Sequence, residues 1–300
     1  THWRGRGAFD MSDARERVGF IGLGSMGAPL VGHLLARGFP VTVYARRPEA
    51  AAPVVALGAT AVSTPRAVGA ASDIVFTMVT ATADVEQVLL GEEGAALGLR
   101  RGGLVVDLST IDPDGARGLA VRLAEHGIDF IDAPVSGGPD GAKQGTLTVM
   151  AGGDAAALAR VRPVLDAFSA RVFHMGASGA GQVTKACHQL LLLITTEGVA
   201  ESLALAAKAG VDPGAVRDVM LQAMASSRAL DRFGGAMAAR NFEPGIPAKL
   251  YRKDAQIIHE FATRVGASLP AGDVVRANIA RVLDAGRGDR DLSVLITALE

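Results

Sequence analysis

A lysine interrupts the most apolar stretch of the chain. Lys185 stands in GQVTKACHQLLLLITTEGVAES, residues 181–202, shortly before the run Leu190–Ile194. An ammonium group is almost never fully buried unless it is paired or has a chemical task. Two readings are open on these residues alone: a lysine on an exposed stripe near a helix start, its stem lying along apolar surface, or a buried group with work to do.

A second constellation lies near the N-terminus. GFIGLGSMGAPL (19–30) contains Gly22-Leu23-Gly24-Ser25-Met26-Gly27, a G-x-G-x-x-G directly after an apolar run that reads as a strand and at the start of one that reads as a helix. In that context the first glycine allows a tight turn, the second lets backbone approach a pyrophosphate, the third lets helix pack on strand, and the helix N-terminus favours the anion. About twenty residues on, NAD-binding chains carry an acid for the ribose 2′-hydroxyl. This chain instead reads VTVYA-Arg46-Arg47-Pro48. Arginine forms bidentate, charge-assisted hydrogen bonds to phosphate, so the pair points to NADP(H), with NAD as the lesser expectation. The alternative, a solvated arginine pair, leaves the missing acid unexplained.

A third candidate is the glycine-rich segment DAPVSGGPDGAKQGTLTVMAGG (132–153). Ser136, Gly137 and Gly138 form a small-residue turn whose hydroxyl and N–H groups suit a carboxylate. Taken alone, it also reads as an ordinary hairpin-like connection.

The elements that must position these residues follow from pattern. The chain has 300 residues, 49% hydrophobic and 20% charged, which fits a globular protein of two domains. Up to about Met175, short apolar β-type runs alternate with helix-type stretches, the pattern of a parallel sheet covered by helices. The expected strands are 18–23, 41–45, 73–79, 104–109, 129–134, 147–152 and 171–175, their near-continuous apolar character matching burial on both faces. Glycines 38, 58 and 127 stand where helices should end. After Met175 the β-type runs stop, and a helix of about thirty residues is expected to run from GASGAG (176–181) to Gly210. The expected architecture is α/β: an N-terminal Rossmann-type, doubly wound parallel sheet over 11–177 and an all-helical domain over 178–300, joined by the long helix. Residues 1–10 read as an upstream extension before Met11.

Composition narrows the function class. A net charge of -1 without a basic cluster argues against nucleic acid as a partner. The longest apolar run, Leu190–Ile194, is too short to span a bilayer, so no membrane partner is expected. One cysteine, Cys187, excludes an internal disulfide and a cysteine-rich metal site; no metal is expected, and a reducing cytoplasm is the expected location. Cys187 itself reads as a packed core residue. Internal repeats of 20–50 residues are not apparent.

Six blocks together carry a resemblance: GLGSMG (22–27), DLST (107–110), DAPVSGG (132–138), GAKQGTLTVMAGG (141–153), GAGQVTK (179–185) and YRKDAQI (251–257). In this order and spacing the chain resembles the β-hydroxyacid dehydrogenase family, which includes 3-hydroxyisobutyrate dehydrogenases and tartronate semialdehyde reductases. The resemblance implies that Lys185 is the catalytic acid/base and that Ser136, Gly137 and Gly138 bind the substrate carboxylate. It places Thr110 by the nicotinamide ribose, Val79 and Thr80 along the cofactor channel, and Lys253 over the cofactor. Family members often have proline where Thr80 stands, and many have asparagine where this chain has His188, three residues after the lysine. On a helix His188 shares the face of Lys185. It would bind substrate and, when protonated, lower the lysine pKa; filling the asparagine's structural role is the equal alternative.

The implied reaction is reversible hydride transfer between NADP(H) and a small 3-hydroxy acid or its semialdehyde, with a homodimer or homotetramer as the working form. Two other reactions stay open: oxidation of a polyhydroxylated, threonate-like acid, favoured by His188, and imine reduction, disfavoured by the intact carboxylate loop. Phe233, Met237 and residues near Lys249 are expected to shape the substrate pocket.

Overall fold

A computed structural model describes residues 15–243 and 245–300; the expected extension and Met11 lie outside the described residues. The chain divides into two compact units. One holds the described residues up to Ser109 together with Asp114–Gly181, the other Thr110–Pro113 with Gln182–Glu300.

Among the described residues, the first unit is built on nine strands: β1 (Val18–Ile21), β2 (Val41–Tyr44), β3 (Thr60–Ala61), β4 (Ile74–Thr77), β5 (Leu104–Asp107), β6 (Asp129–Asp132), β7 (Val135–Ser136), β8 (Leu147–Gly152) and β9 (Ser169–Gly176). The order is β3-β2-β1-β4-β5-β6-β8-β7, with β9 beside β8. From β3 to β6 every pairing is parallel, which gives the doubly wound order of dinucleotide-binding sheets. Helices α1 (Gly27–Ala36), α2 (Ala52–Val55), α3 (Pro65–Ala70), α4 (Thr82–Leu90), α5 (Pro113–Glu125), α6 (Gly138–Gln144) and α7 (Ala155–Leu165) connect the strands. β1, β4 and β5 are buried at every position, as their unbroken apolar runs require. Phe20 stacks on Phe76 and Phe76 meets Phe168 edge-on, both at 6.0 Å between ring centres.

The sheet departs from the expected parallel pattern beyond β6. β8 runs antiparallel to β6 and β7 and parallel to β9. β3 and β7 have two residues each, too short to leave a periodic signal. β9 is longer than expected and largely exposed, with Phe173 and Met175 on the surface. It pairs only with β8 among the described residues, so its apolar residues do not mark a strand buried on both faces. Glycines 38, 58 and 127 all adopt positive φ, as helix-ending glycines do.

The second unit is helical. It contains α8 (Ala180–Lys208, of which Ala180 and Gly181 belong to the first unit), α9 (Pro213–Gln222), α10 (Arg228–Ala239), α11 (Ala248–Val265), α12 (Pro270–Asp284) and a closing 3₁₀ stretch, Leu292–Leu299. Asp212 caps α9 by accepting from Gly214 and Ala215 N–H, and Ser227 caps α10 through Leu230 N–H. A second core joins Leu193, Ala200 and Leu203 of α8 to Phe233, Met237, Tyr251, Ile258 and Ile279. Phe233 and Met237 therefore fill this core instead of lining a substrate pocket, and Lys249 is exposed and paired with Asp289.

Helix α8 has the length and composition to cross a bilayer, which the five-residue run Leu190–Ile194 does not reveal. Its buried face nevertheless carries Lys185, Gln189, Thr196 and Glu197, the mark of a core helix with polar partners. Cys187, expected in the core, is exposed.

Candidate active site

The glycine turn after β1 has the three distinct environments that the motif demands. Gly22 has φ 103°, and a Cβ there would overlap the Met78 carbonyl oxygen. A Cβ on Gly27 would overlap the Gly22 carbonyl oxygen and touch Phe20, so this glycine is needed for α1 to approach β1. By contrast, a Cβ on Gly24 would meet no atom within 4 Å. The space beside it is open. Ser25 and Met26 complete the turn, and α1 begins at Gly27 without a side-chain cap from Met26. Its first N–H groups thus face the turn with no side-chain acceptor of their own.

β2 and β4 flank β1, so the loops after these three strands leave the same edge of the sheet. Arg46 and Arg47 follow β2, both exposed, and Arg47 precedes a 3₁₀ turn at Pro48–Ala51. Neither guanidinium forms an ion pair among the described residues. Val79 and Thr80 lie in the loop beyond β4, which ends at Thr77, two residues earlier than expected. A buried carboxylate shapes this loop: Asp107 Oδ1 accepts from Thr77 Oγ1 at 2.7 Å and from Ser109 N at 3.1 Å, while Ser109 Oγ accepts from Val79 N at 2.9 Å. Asp107 and Ser109 escaped the sequence reading, although both belong to the DLST block.

Ser136 ends β7, Gly137 has φ 132°, and Gly138 opens α6. The segment is a strand-to-helix junction, not a hairpin. A Cβ at Gly137 would come within 2.9 Å of Leu147 Cδ2, so backbone strain and crowding both favour glycine there.

In the helical unit, Lys185 is only 7% exposed. Its Nζ donates to Gln189 Oε1 at 3.1 Å, one turn along α8, and Gln189 Nε2 donates to Asp254 Oδ2 at 2.6 Å. Asp254 Oδ1 lies 3.4 Å from Lys253 Nζ, which donates to the Thr110 carbonyl. The Thr110–Pro113 segment is further held by Ile111 N donating to Gln182 Oε1 and by an Asp112–Arg264 ion pair. Lys185, His188, Thr110 and Lys253 are thus drawn into one polar cluster. Its connectors, Gln189 and Asp254, were missed, though Gln189 stands at the i+4 position from Lys185 and Asp254 directly follows Lys253.

Burial lowers the Lys185 pKa from 10.5 to about 8, against the opposing charge of Asp254 and with help from Lys253. His188 is itself pushed down by burial and by Lys185. At neutral pH it is therefore uncharged while Lys185 is an ammonium, and there the like-charge repulsion on Lys185 comes from Lys253, not from His188. The Gln189 oxygen faces both groups, and His188 Nδ1 lies 3.0 Å from it, which selects the tautomer protonated at Nδ1.

The sequence profile described as the NAD binding domain of 6-phosphogluconate dehydrogenase matches residues 17–176. The profile described as NAD-binding of NADP-dependent 3-hydroxyisobutyrate dehydrogenase matches 179–299. 2-Hydroxy-3-oxopropionate reductase of Escherichia coli is 38% identical over 95% of this chain and 97% of its own. The chain belongs to the β-hydroxyacid dehydrogenase family. Another member, the NAD-dependent L-serine dehydrogenase of Pseudomonas aeruginosa, is 36% identical over 93% of this chain and 96% of its own. The structure of Mycobacterium tuberculosis 3-hydroxyisobutyrate dehydrogenase with L-serine superposes with a TM-score of 0.88 at 31% identity, covering 96% of this chain and all of that one.

As a hydroxyacid dehydrogenase family oxidoreductase, the protein uses a nicotinamide cofactor, and the first unit fits one. The open space at Gly24, the uncapped start of α1 and the two unpaired guanidinium groups after β2 form a cradle for pyrophosphate and ribose. In the second unit, a buried lysine poised near neutrality can both give and take a proton.

Proposed function

We propose that the protein is an NADP(H)-preferring reductase of a small semialdehyde whose carbonyl carbon is β to a carboxylate, with Lys185 as the general acid/base. The observation that carries this reading is Lys185 itself, buried, hydrogen-bonded to Gln189 and holding a pKa of about 8. The named substrates of two relatives, 2-hydroxy-3-oxopropionate and L-serine, both carry oxygen on the carbon β to a carboxylate.

When bound, the reduced nicotinamide supplies hydride to the carbonyl carbon and the oxidised form takes it back. The chain's residues do the rest. Gly22, Gly24, Ser25, Met26 and Gly27 hold the pyrophosphate, and Arg46 and Arg47 grip the 2′-phosphate. Val79, Thr80, Thr110 and Lys253 take the remaining cofactor contacts. Ser136, Gly137 and Gly138 receive the substrate carboxylate, and His188 meets the group that distinguishes one acid from another. At pH 7, Lys185 with a pKa of about 8 is about nine-tenths ammonium. It polarises the carbonyl oxygen and passes its proton to the alkoxide; in the oxidative direction the neutral amine removes the hydroxyl proton. The described residues up to 177 serve as the cofactor domain and 178–300 as the substrate domain, through which two or four copies assemble.

Initial rates with NADPH and NADH against methylmalonic and tartronic semialdehydes, with succinic semialdehyde, whose carbonyl is γ to its carboxylate, as the control, on the wild type and Lys185→Ala, test this reading. NADPH-linked turnover lost in the variant is the expected result. NADH-only turnover defeats the cofactor assignment, and turnover retained in the variant defeats the role of Lys185. His188 favours one second reading, oxidation of a threonate-like acid, which the same assay in the oxidative direction detects.

A further inference from the structure

Lys185 and Asp254 form no direct ion pair among the described residues, yet one side chain joins them. Gln189 is 6% exposed and bridges α8 to α11. A glutamine amide presents a donor at one end and an acceptor at the other, and only its nitrogen can satisfy a carboxylate. With Asp254 Oδ2 at 2.6 Å from Nε2, the opposite end, Oε1, must face Lys185 Nζ and His188 Nδ1, at 3.1 and 3.0 Å. The ammonium requires an acceptor there, and His188 can donate to the same oxygen from Nδ1. A flipped amide would set its NH₂ against an ammonium and its oxygen against a carboxylate.

We propose that Asp254 is a positioning residue: by holding the Gln189 amide in one orientation, it fixes the Lys185 ammonium and strengthens its hold on the proton. The proposal rests on Lys185 being the acid/base. The charged and titratable groups around Lys185 are few. On α11, Asp254 favours the ammonium and Lys253 opposes it; on α8, burial and Lys185 itself push the His188 pKa down, so at neutral pH His188 is uncharged. Tyr251, also on α11, is kept neutral by burial and by the carboxylates of Asp291 and Asp254. Asp254 further restrains the opposing cation, since Lys253 Nζ lies between its Oδ1 and the Thr110 carbonyl. The carboxylate therefore acts on Lys185 in two ways, through an oriented dipole and through its charge.

The test uses the full-length protein and reads Lys185 directly. The rate at which trinitrobenzenesulfonate arylates Lys185 is measured against pH by mass spectrometry of the peptide that carries it. In parallel, the pH profile of NADPH-linked reduction is recorded for the wild type, Asp254→Asn, Asp254→Glu and Gln189→Leu. The labelling midpoint of Asp254→Asn is expected about half a pH unit or more below the wild type, with Gln189→Leu moving the same way. Asp254→Glu, which keeps the charge, restores the midpoint. Reduction in Asp254→Asn loses its acid form at correspondingly lower pH, and kcat falls more than KM for NADPH rises. An unchanged midpoint in Asp254→Asn, or in Gln189→Leu should the first variant not fold, overturns the proposal. Labelling does not depend on turnover, so an error about the reaction and an error about the relay give different results: retained activity in Lys185→Ala with a shifted midpoint condemns the former alone.

Discussion

Burying Lys185 has a thermodynamic consequence that a single substitution exposes. Its pKa falls from 10.5 to about 8 in the folded protein, a difference of about 2.5 pH units, so keeping the ammonium in place costs the fold about 3 kcal/mol at pH 7. Lys185→Met preserves the unbranched stem and removes the charge. The variant forfeits the hydrogen bond to Gln189, about 1 kcal/mol, while Gln189 keeps Asp254 and His188 as partners. The balance is a gain of about 2 kcal/mol, or about 3 °C in Tm for a chain of this size. The sign follows from linkage. Below pH 8 the lysine is charged in both states and the full penalty applies. Between about 8 and 10.5 it is neutral only when folded, so the wild type recovers stability and the advantage of the variant shrinks. Thermal melts of both proteins from pH 6 to 10 measure this. A variant less stable than wild type at pH 7, or an advantage that does not change with pH, refutes the reasoning.

Gly24→Ala should leave Tm unchanged and weaken dinucleotide binding by fluorescence titration, because the added Cβ meets no protein atom within 4 Å, whereas Gly27→Ala should unfold at lower temperature. Arg46→Ala with Arg47→Ala should raise KM for NADPH by about tenfold or more while changing KM for NADH little, as expected for loss of charge-assisted phosphate contacts. Glu197 is buried on α8, where its Oε1 accepts from Asn278 Nδ2 and its Oε2 has no partner among the described residues. Burial raises its pKa, so wild-type stability falls as pH rises above 4.5. Glu197→Gln should therefore melt higher at pH 8, with the difference closing as pH falls to 4.5.

The parts of the site set by backbone geometry were the most legible in the sequence. Glycines 22 and 27 are dictated by a turn and by a helix packing distance, and each requirement admits one residue type, while Gly24, beside open space, is legible through its place in the motif. Lys185 was legible because charge contrasts with its apolar surroundings and six blocks fix its place in a family pattern. Gln189 and Asp254 were not, because their contact joins residues 65 apart on two helices and no local periodicity encodes it. The same limit explains Phe233 and Met237: apolar residues of a helical domain suit a pocket or a core equally well until the packing is known. Cys187 was misplaced because an apolar run does not reveal which face of a long helix is covered. The antiparallel return at β8 was hidden for a related reason, since β7 supplies only Val135 and Ser136 to signal the reversal.

The central claim is that Lys185 delivers the proton, and the pH dependence of kcat/KM for NADPH-linked semialdehyde reduction tests it most directly. The wild type should hold a plateau below pH 8 and lose about tenfold per pH unit above it, as the ammonium is titrated, while the residual rate of Lys185→Ala shows no break there. A wild-type profile without a break near pH 8, or the same break surviving in Lys185→Ala, would contradict the account.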